Sequence, residues 1–190
     1  MSQKKLFSEA EKEVNLVSSS LALDEAKKLA QKIICVEDHF DELQIVGSIR
    51  RERPIVRDID FMVISNEWQN LGKQLVSELK AKQKMKGDEI KRFLIPTDKG
   101  YVQADFYRAT PMTWGVRELV RTGSAEHNIF LAKYALKNNM QLKYSVGLVN
   151  ERSQVIASKT EEEVFRGLGL SYVSPTEREM RGSSPVWWKK

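Results

Sequence analysis

The chain has one cysteine and two histidines in 190 residues. The lone Cys35 excludes an internal disulfide, and His39 with His127 is too few for a histidine-rich zinc site. Cys35 is expected to sit buried on a helix beside Ile33 and Ile34, with nothing to make it reactive. No apolar run reaches membrane-spanning length, and the lysine- and glutamate-rich start lacks the apolar centre of a secretory signal. The sequence therefore predicts a soluble, intracellular protein. An acidic excess is also missing: 31 lysines and arginines face 26 aspartates and glutamates, giving a net charge of +5 and a pI near 9.2. That balance suits a polyanionic partner without requiring one. The length allows one solid core or two small lobes, and no internal repeat is visible.

What is present gathers around Gly47-Ser48-Ile49-Arg50-Arg51 and, after a short linker, Asp58-Ile59-Asp60-Phe61-Met62-Val63-Ile64. The second stretch reads as a strand, in which Asp58 and Asp60 share one face while Ile59, Phe61 and Val63 take the other. Two like charges that close need a cation between them or a shared proton. Magnesium suits hard oxygen ligands and in turn suits phosphates. Gly47 lets the backbone approach an anion, Ser48 offers a hydroxyl, and Arg50 or Arg51 offers a forked donor. A two-metal site needs a third carboxylate on a neighbouring strand. Tyr101-Val102-Gln103-Ala104-Asp105-Phe106-Tyr107 supplies one in Asp105, after a hairpin turn at Asp98-Lys99-Gly100. Asp105 taken alone reads as an ordinary surface charge; for the whole set, chance is the weaker explanation.

These residues resemble the nucleotidyltransferase signature, and specifically DNA polymerase family X. The resemblance rests on Gly47-Ser48, Arg51, Asp58-Ile59-Asp60 and Asp105, on Arg121-Thr122-Gly123-Ser124 with Asn128, and on Gly167 to Val173 followed by Thr176-Glu177-Arg178-Glu179. It covers roughly residues 20–180. It implies an α/β palm with a mixed sheet and flanking helices, followed by a small α+β C-terminal subdomain. The corresponding division is a polar leader (1–20), a palm (21–110), a nucleotide-selection subdomain (111–180) and a basic tail (181–190) with Trp187 and Trp188.

The resemblance further implies two Mg²⁺ ions, or Mn²⁺, on Asp58, Asp60 and Asp105, with a dNTP as substrate. The nucleotide would be held by Gly47, Ser48, Arg51, Arg121, Thr122, Gly123, Ser124 and Asn128. DNA would be the partner of a monomer that fills short gaps in repair. A template-independent or non-DNA nucleotidyltransferase is the alternative, and a catalytically idle nucleic-acid-binding module is a third reading that the intact carboxylates disfavour. At Val120-Arg121 the chain departs from the family's usual aromatic pair, which screens the sugar 2′ position, so ribonucleotide use is an open hypothesis. No lyase domain or helix-hairpin-helix unit is recognisable, as in the compact family X enzymes of some viruses. Weak, salt-dependent, distributive synthesis is the expectation.

Local patterns set the remaining expectations. Apolar spacing predicts a helix over 21–40, and Gln44-Ile45-Val46 a first strand. Ser65-Asn66 should cap a helix carrying Trp68, Leu71, Leu75 and Leu79, running into Lys80, Lys82, Lys84 and Lys86. Those lysines, with Lys133, are candidate DNA contacts; a solvated helix end reads equally well for the first group. Ser124 should cap a helix over 125–138 with Ile129, Ala132 and Leu136 inward. Short strands follow near Leu142, Leu148 and Val155, and Thr160 with Glu163 caps a last helix.

Overall fold

The computed structural model describes residues 20–179. The leader up to Ser19 and the basic tail with Trp187 and Trp188 lie outside the described residues. Among the described residues, no helix is long and apolar enough to cross a membrane.

The larger body is built on a five-stranded mixed sheet. Its strands are β2 (Glu42–Ile45), β4 (Asp58–Ile64), β5 (Lys82–Lys86), β6 (Ile90–Thr97) and β7 (Gly100–Arg108), in spatial order β2-β4-β7-β6-β5. Only β4 and β7 run parallel; the other pairs are antiparallel. Alternation decides the faces. Ile59, Phe61, Val63, Phe93, Ile95, Val102, Ala104 and Phe106 all point to one side and are buried. Phe106 stacks on Phe61 at 4.8 Å and meets Phe93 edge-on at 5.8 Å. Helix α1 (Leu23–Val36) covers this side with Ala26, Ala30 and Ile33. A two-stranded ribbon of β1 (Leu21–Ala22) and β3 (Ile55–Val56) closes its end.

Helix α1 shows why Cys35 is exposed, against the expectation that it is buried. Residues 26, 30 and 33 follow helical spacing along one stripe, and two residues past Ile33 the side chain has swung to the far side. Gly47-Ser48 opens a four-residue helix, α2 (Gly47–Arg50), rather than a simple turn.

The expected helix from Ser65 does not form until α3 (Lys73–Glu78); residues 66–72 are turns. Two features prevent it. The ammonium of Lys91, only 1% exposed, collects the carbonyls of Trp68, Gln69 and Leu71, which a helix would have used itself. Gly72 adopts φ 95°, where a Cβ would lie 1.9 Å from the Phe93 ring. Trp68, Leu71 and Leu75 are nonetheless buried, as expected. Past Lys80, the lysines after α3 lie in the edge strand β5 rather than on a helix end. Lysines on an open edge also discourage pairing with another chain.

A second apolar cluster lies further along the chain, formed by α4 (Trp114–Thr122), α5 (Ala125–Lys137), α6 (Glu161–Gly167) and a three-stranded antiparallel sheet. Its strands are β8 (Gln141–Lys143), β9 (Gly147–Val149) and β10 (Val155–Ala157). Ser124 and Thr160 cap α5 and α6 as their sequence context predicts. The buried face of α5 carries His127, Leu131 and Ala135 instead of the expected set; Ile129 and Leu136 are 54% and 62% exposed. The caps placed the helix correctly, but its apolar residues ring it too evenly to identify the inner face.

A buried charge network joins the two clusters. Glu161 accepts forked bonds from Arg50 (2.9 and 2.9 Å) and from Arg178 (2.6 and 2.9 Å). Glu118 lies 3.1 Å from Arg50, and burial together with the Glu161 charge pushes its carboxyl up to about 7. Removing the hub leaves Arg178 buried without its counter-charge. Glu161→Ala should therefore cost about 3–5 kcal/mol in urea unfolding. A loss below about 1 kcal/mol, the range of an exposed pair, would show that the network does not tie the clusters together.

Candidate active site

The sheet face opposite the core carries the acidic cluster. In the parallel pairing of β4 with β7, Asp60 lies beside Asp105 and Asp58 beside Gln103. Paired residues share a face, so all three aspartates point the same way. Gly47, at φ 65°, brings α2 against them: a Cβ there would fall 2.0 Å from Asp60 Oδ2. Only glycine fits that approach.

Crowding shapes the electrostatics. Burial first, then the Asp58 and Asp105 charges, push Asp60 up to about 7. Burial and the Asp105 charge also raise Asp58. Asp105, 1% exposed, is held by donors that sequence reasoning passed over. Arg92 forks onto it, Nε to Oδ1 at 2.7 Å and Nη2 to Oδ2 at 2.6 Å. Gln103 Nε2 (3.2 Å) and the Tyr107 hydroxyl (3.1 Å) donate to the same Oδ2. Burial beside Asp60 and Asp105 keeps the Tyr107 phenol protonated, its pKa well above the usual value. The signal for these residues was available. The two-residue hairpin that pairs Thr97 with Gly100 also sets Arg92 opposite Asp105, and alternation puts Tyr107 on the same face.

The three aspartate side chains share a face but do not converge into a chelating triad. Among the described residues, only Glu37, Asp38 and His39 have ligand atoms all within 4.8 Å of one another, and Glu37 there already accepts from Gly72 N and from His39 N and Nδ1. Arg92 holds both oxygens of Asp105, and the like charges repel. The donor set, all carboxylate oxygen, nevertheless fits a hard divalent cation.

The other predicted residues surround this face. Ser48 Oγ is buried, with no hydrogen-bond partner among the described residues; a phosphate oxygen would satisfy it. Arg51 donates to the Thr122 carbonyl and, through Nε, to Glu179 Oε1 at 2.5 Å. Thr122 Oγ1 accepts from Arg50 at 2.7 Å. Gly123, at φ 77°, and Ser124 form the turn into α5; the Ser124 hydroxyl caps that helix and donates to the Arg178 carbonyl at 2.8 Å. Asn128 Nδ2 holds the Val120 carbonyl at 2.7 Å, leaving Oδ1 unpartnered. Arg121 stacks on Tyr107 at 3.8 Å and on Tyr144 at 4.6 Å.

The candidate DNA lysines do not share one track. Lys82 pairs with Leu94, on the aspartate face, and lies over the Tyr101 ring at 5.0 Å. A bulge between Gln83 and Met85 shifts the register, so Lys86 pairs with Lys91 on the opposite face. Lys133 is on the exposed side of α5, with Ile129 and Leu136.

Asp60 makes the cation-free protein sensitive to pH. Its folded pKa of about 7 exceeds the unfolded value of about 4, so the folded chain binds more protons between the two. Stability therefore falls as pH rises through that window and levels off above it. With EDTA present, Asp60→Asn should gain on the order of 2 kcal/mol at about pH 8 and flatten the profile. A variant profile as steep as the wild type would contradict this assignment.

Residues 119–179 match the family model described as DNA polymerase beta thumb. A curated relative, the DNA polymerase/3'-5' exonuclease PolX of Bacillus subtilis (strain 168), is 25% identical over 142 residues, which are 74% of this chain and 25% of that protein. The chain thus aligns with about a quarter of the relative's length.

Proposed function

We propose that the chain, which is similar to a DNA polymerase beta thumb and to a PolX polymerase, is a family X nucleotidyltransferase that extends a DNA primer along a template, filling short gaps in repair. The observation that carries this reading is the set of Asp58, Asp60 and Asp105 on one sheet face, with Gly47 packed against Asp60. On this reading residues 21–110 form the palm and 111–180 the nucleotide-selection subdomain.

Asp58, Asp60 and Asp105 would hold Mg²⁺ ions, or Mn²⁺, which supply Lewis acidity at the 3′ hydroxyl and charge neutralisation at the triphosphate. On this reading Asp105, which Arg92 and Tyr107 hold in place, would receive the hydroxyl proton. The hydroxyl oxygen attacks the α-phosphorus in line and pyrophosphate leaves, so the protein's work is mainly positioning and charge neutralisation. Ser48 Oγ, buried without a partner, and Arg51 take the triphosphate oxygens. Asn128 Oδ1 is left to meet the base edge. Lys82, on the aspartate face, would meet a DNA phosphate; Lys84 falls in the bulge, Lys86 pairs on the opposite face and Lys133 sits on α5.

The test is single-nucleotide extension on a one-nucleotide-gapped duplex with each dNTP and Mg²⁺. Extension by the complementary dNTP alone is expected, with loss of at least about a thousandfold, some 4 kcal/mol of barrier, in Asp105→Ala. Extension of a bare primer regardless of base would instead assign a template-independent transferase, and unchanged turnover in Asp105→Ala would remove the site.

A further inference from the structure

Arg51, the arginine that the site reading gives to the triphosphate, already holds a carboxylate. Glu179 bridges two guanidiniums: Oε1 accepts from Arg51 Nε at 2.5 Å and Oε2 from Arg53 Nη1 at 3.3 Å. One carboxylate across two arginines is also the arrangement that holds a phosphate. The Arg51 and Glu179 side chains are only 16% and 19% exposed, so solvent screens the pair incompletely.

Glu179 is carried there on a well-anchored segment. Arg178, just before it, is fully buried. Its guanidinium is forked onto Glu161, its Nε donates to the Val173 carbonyl at 3.0 Å, and its carbonyl accepts the Ser124 hydroxyl. The neighbouring peptide is thus fixed at the Gly123-Ser124 turn. Arg51 lies between that turn and the acidic face. Its Nη1 is 3.0 Å from where a Gly123 Cβ would be, and its charge bears on Asp58 from one side and on Glu126 from the other. Its orientation does not need Glu179, because the Thr122 carbonyl also holds it.

We infer that Glu179 is an internal competitor for the triphosphate. Its carboxylate occupies the Arg51 and Arg53 donors in the nucleotide-free protein and gives them up when a triphosphate binds, so it sets nucleotide affinity. This rests on the reading of the site as a nucleoside triphosphate site. The exchange replaces a singly charged ligand with a more highly charged one, so binding proceeds at a reduced net gain. Withdrawing the competing charge restores the difference.

Calorimetric titration with a dNTP and with inorganic tripolyphosphate, both with Mg²⁺, tests this on the wild type, Glu179→Gln, Glu179→Ser, Arg51→Gln and the Arg51→Gln/Glu179→Gln double variant. Both Glu179 variants should bind the two probes roughly three- to tenfold more tightly than the wild type, and the gain should shrink in the Arg51→Gln background, where only the Arg53 donor is left to be released. Thermal unfolding confirms that each variant is folded, and the serine variant carries the test if the glutamine one is not. Wild-type binding with equal or weaker binding by the folded Glu179 variants would overturn the inference alone. Absence of wild-type binding to either probe would overturn the site reading and the inference together.

Discussion

Two carboxylates set side by side on adjacent strands repel each other, and the parallel pairing of β4 with β7 enforces that arrangement at Asp60 and Asp105. The protein meets the cost by several routes. Asp105 is bound to Arg92, Gln103 and Tyr107. Asp60, which lacks an arginine fork, has its pKa pushed up to about 7 by burial and by the Asp58 and Asp105 charges. A bound cation would relieve both. Beside them, a glycine packs against Asp60 and a buried serine hydroxyl has no partner among the described residues; a phosphate would fit both.

The core face makes this possible. A strand can hold charges on one side only when the other side repays the folding entropy, and here Phe61, Phe93 and Phe106 interlock beneath the aspartates. Coupling to the second cluster runs through arginines of the same short helix and its C-cap. Arg50 reaches Thr122 and Glu161, while Arg51 reaches the Thr122 carbonyl and Glu179. The last residue of α2 and its C-cap therefore tie the acidic face to the turn that opens α5.

Much of this was legible in the sequence wherever a local rule acts alone. Strict alternation placed Asp58 and Asp60 on one face, a two-residue hairpin turn placed β6 beside β7, and Ser124 and Thr160 announced their helices. It was not legible where a distant residue decides. The helix expected from Ser65 lost its first turns to the Lys91 ammonium, which reaches those carbonyls from a strand twenty or more residues on. The lysine run looked like one track, but a bulge splits it between faces. Arg121 was expected at the nucleotide, and its stacking between Tyr107 and Tyr144 depends on contacts that no spacing reveals. Arg92 could have been found, because the hairpin register that pairs Thr97 with Gly100 also sets it against Asp105.

The central claim is that the aspartate face is a cation site. The direct measurement is the shift in thermal unfolding temperature on adding Mg²⁺ or Mn²⁺ to cation-free protein, compared with the Asp58→Asn/Asp60→Asn/Asp105→Asn triple variant. The account predicts a saturable rise in the wild type, following the mass-action stabilisation expected of a ligand bound only by the folded chain, and none in the triple variant. An equal rise in both proteins, or no rise in the wild type, would contradict it.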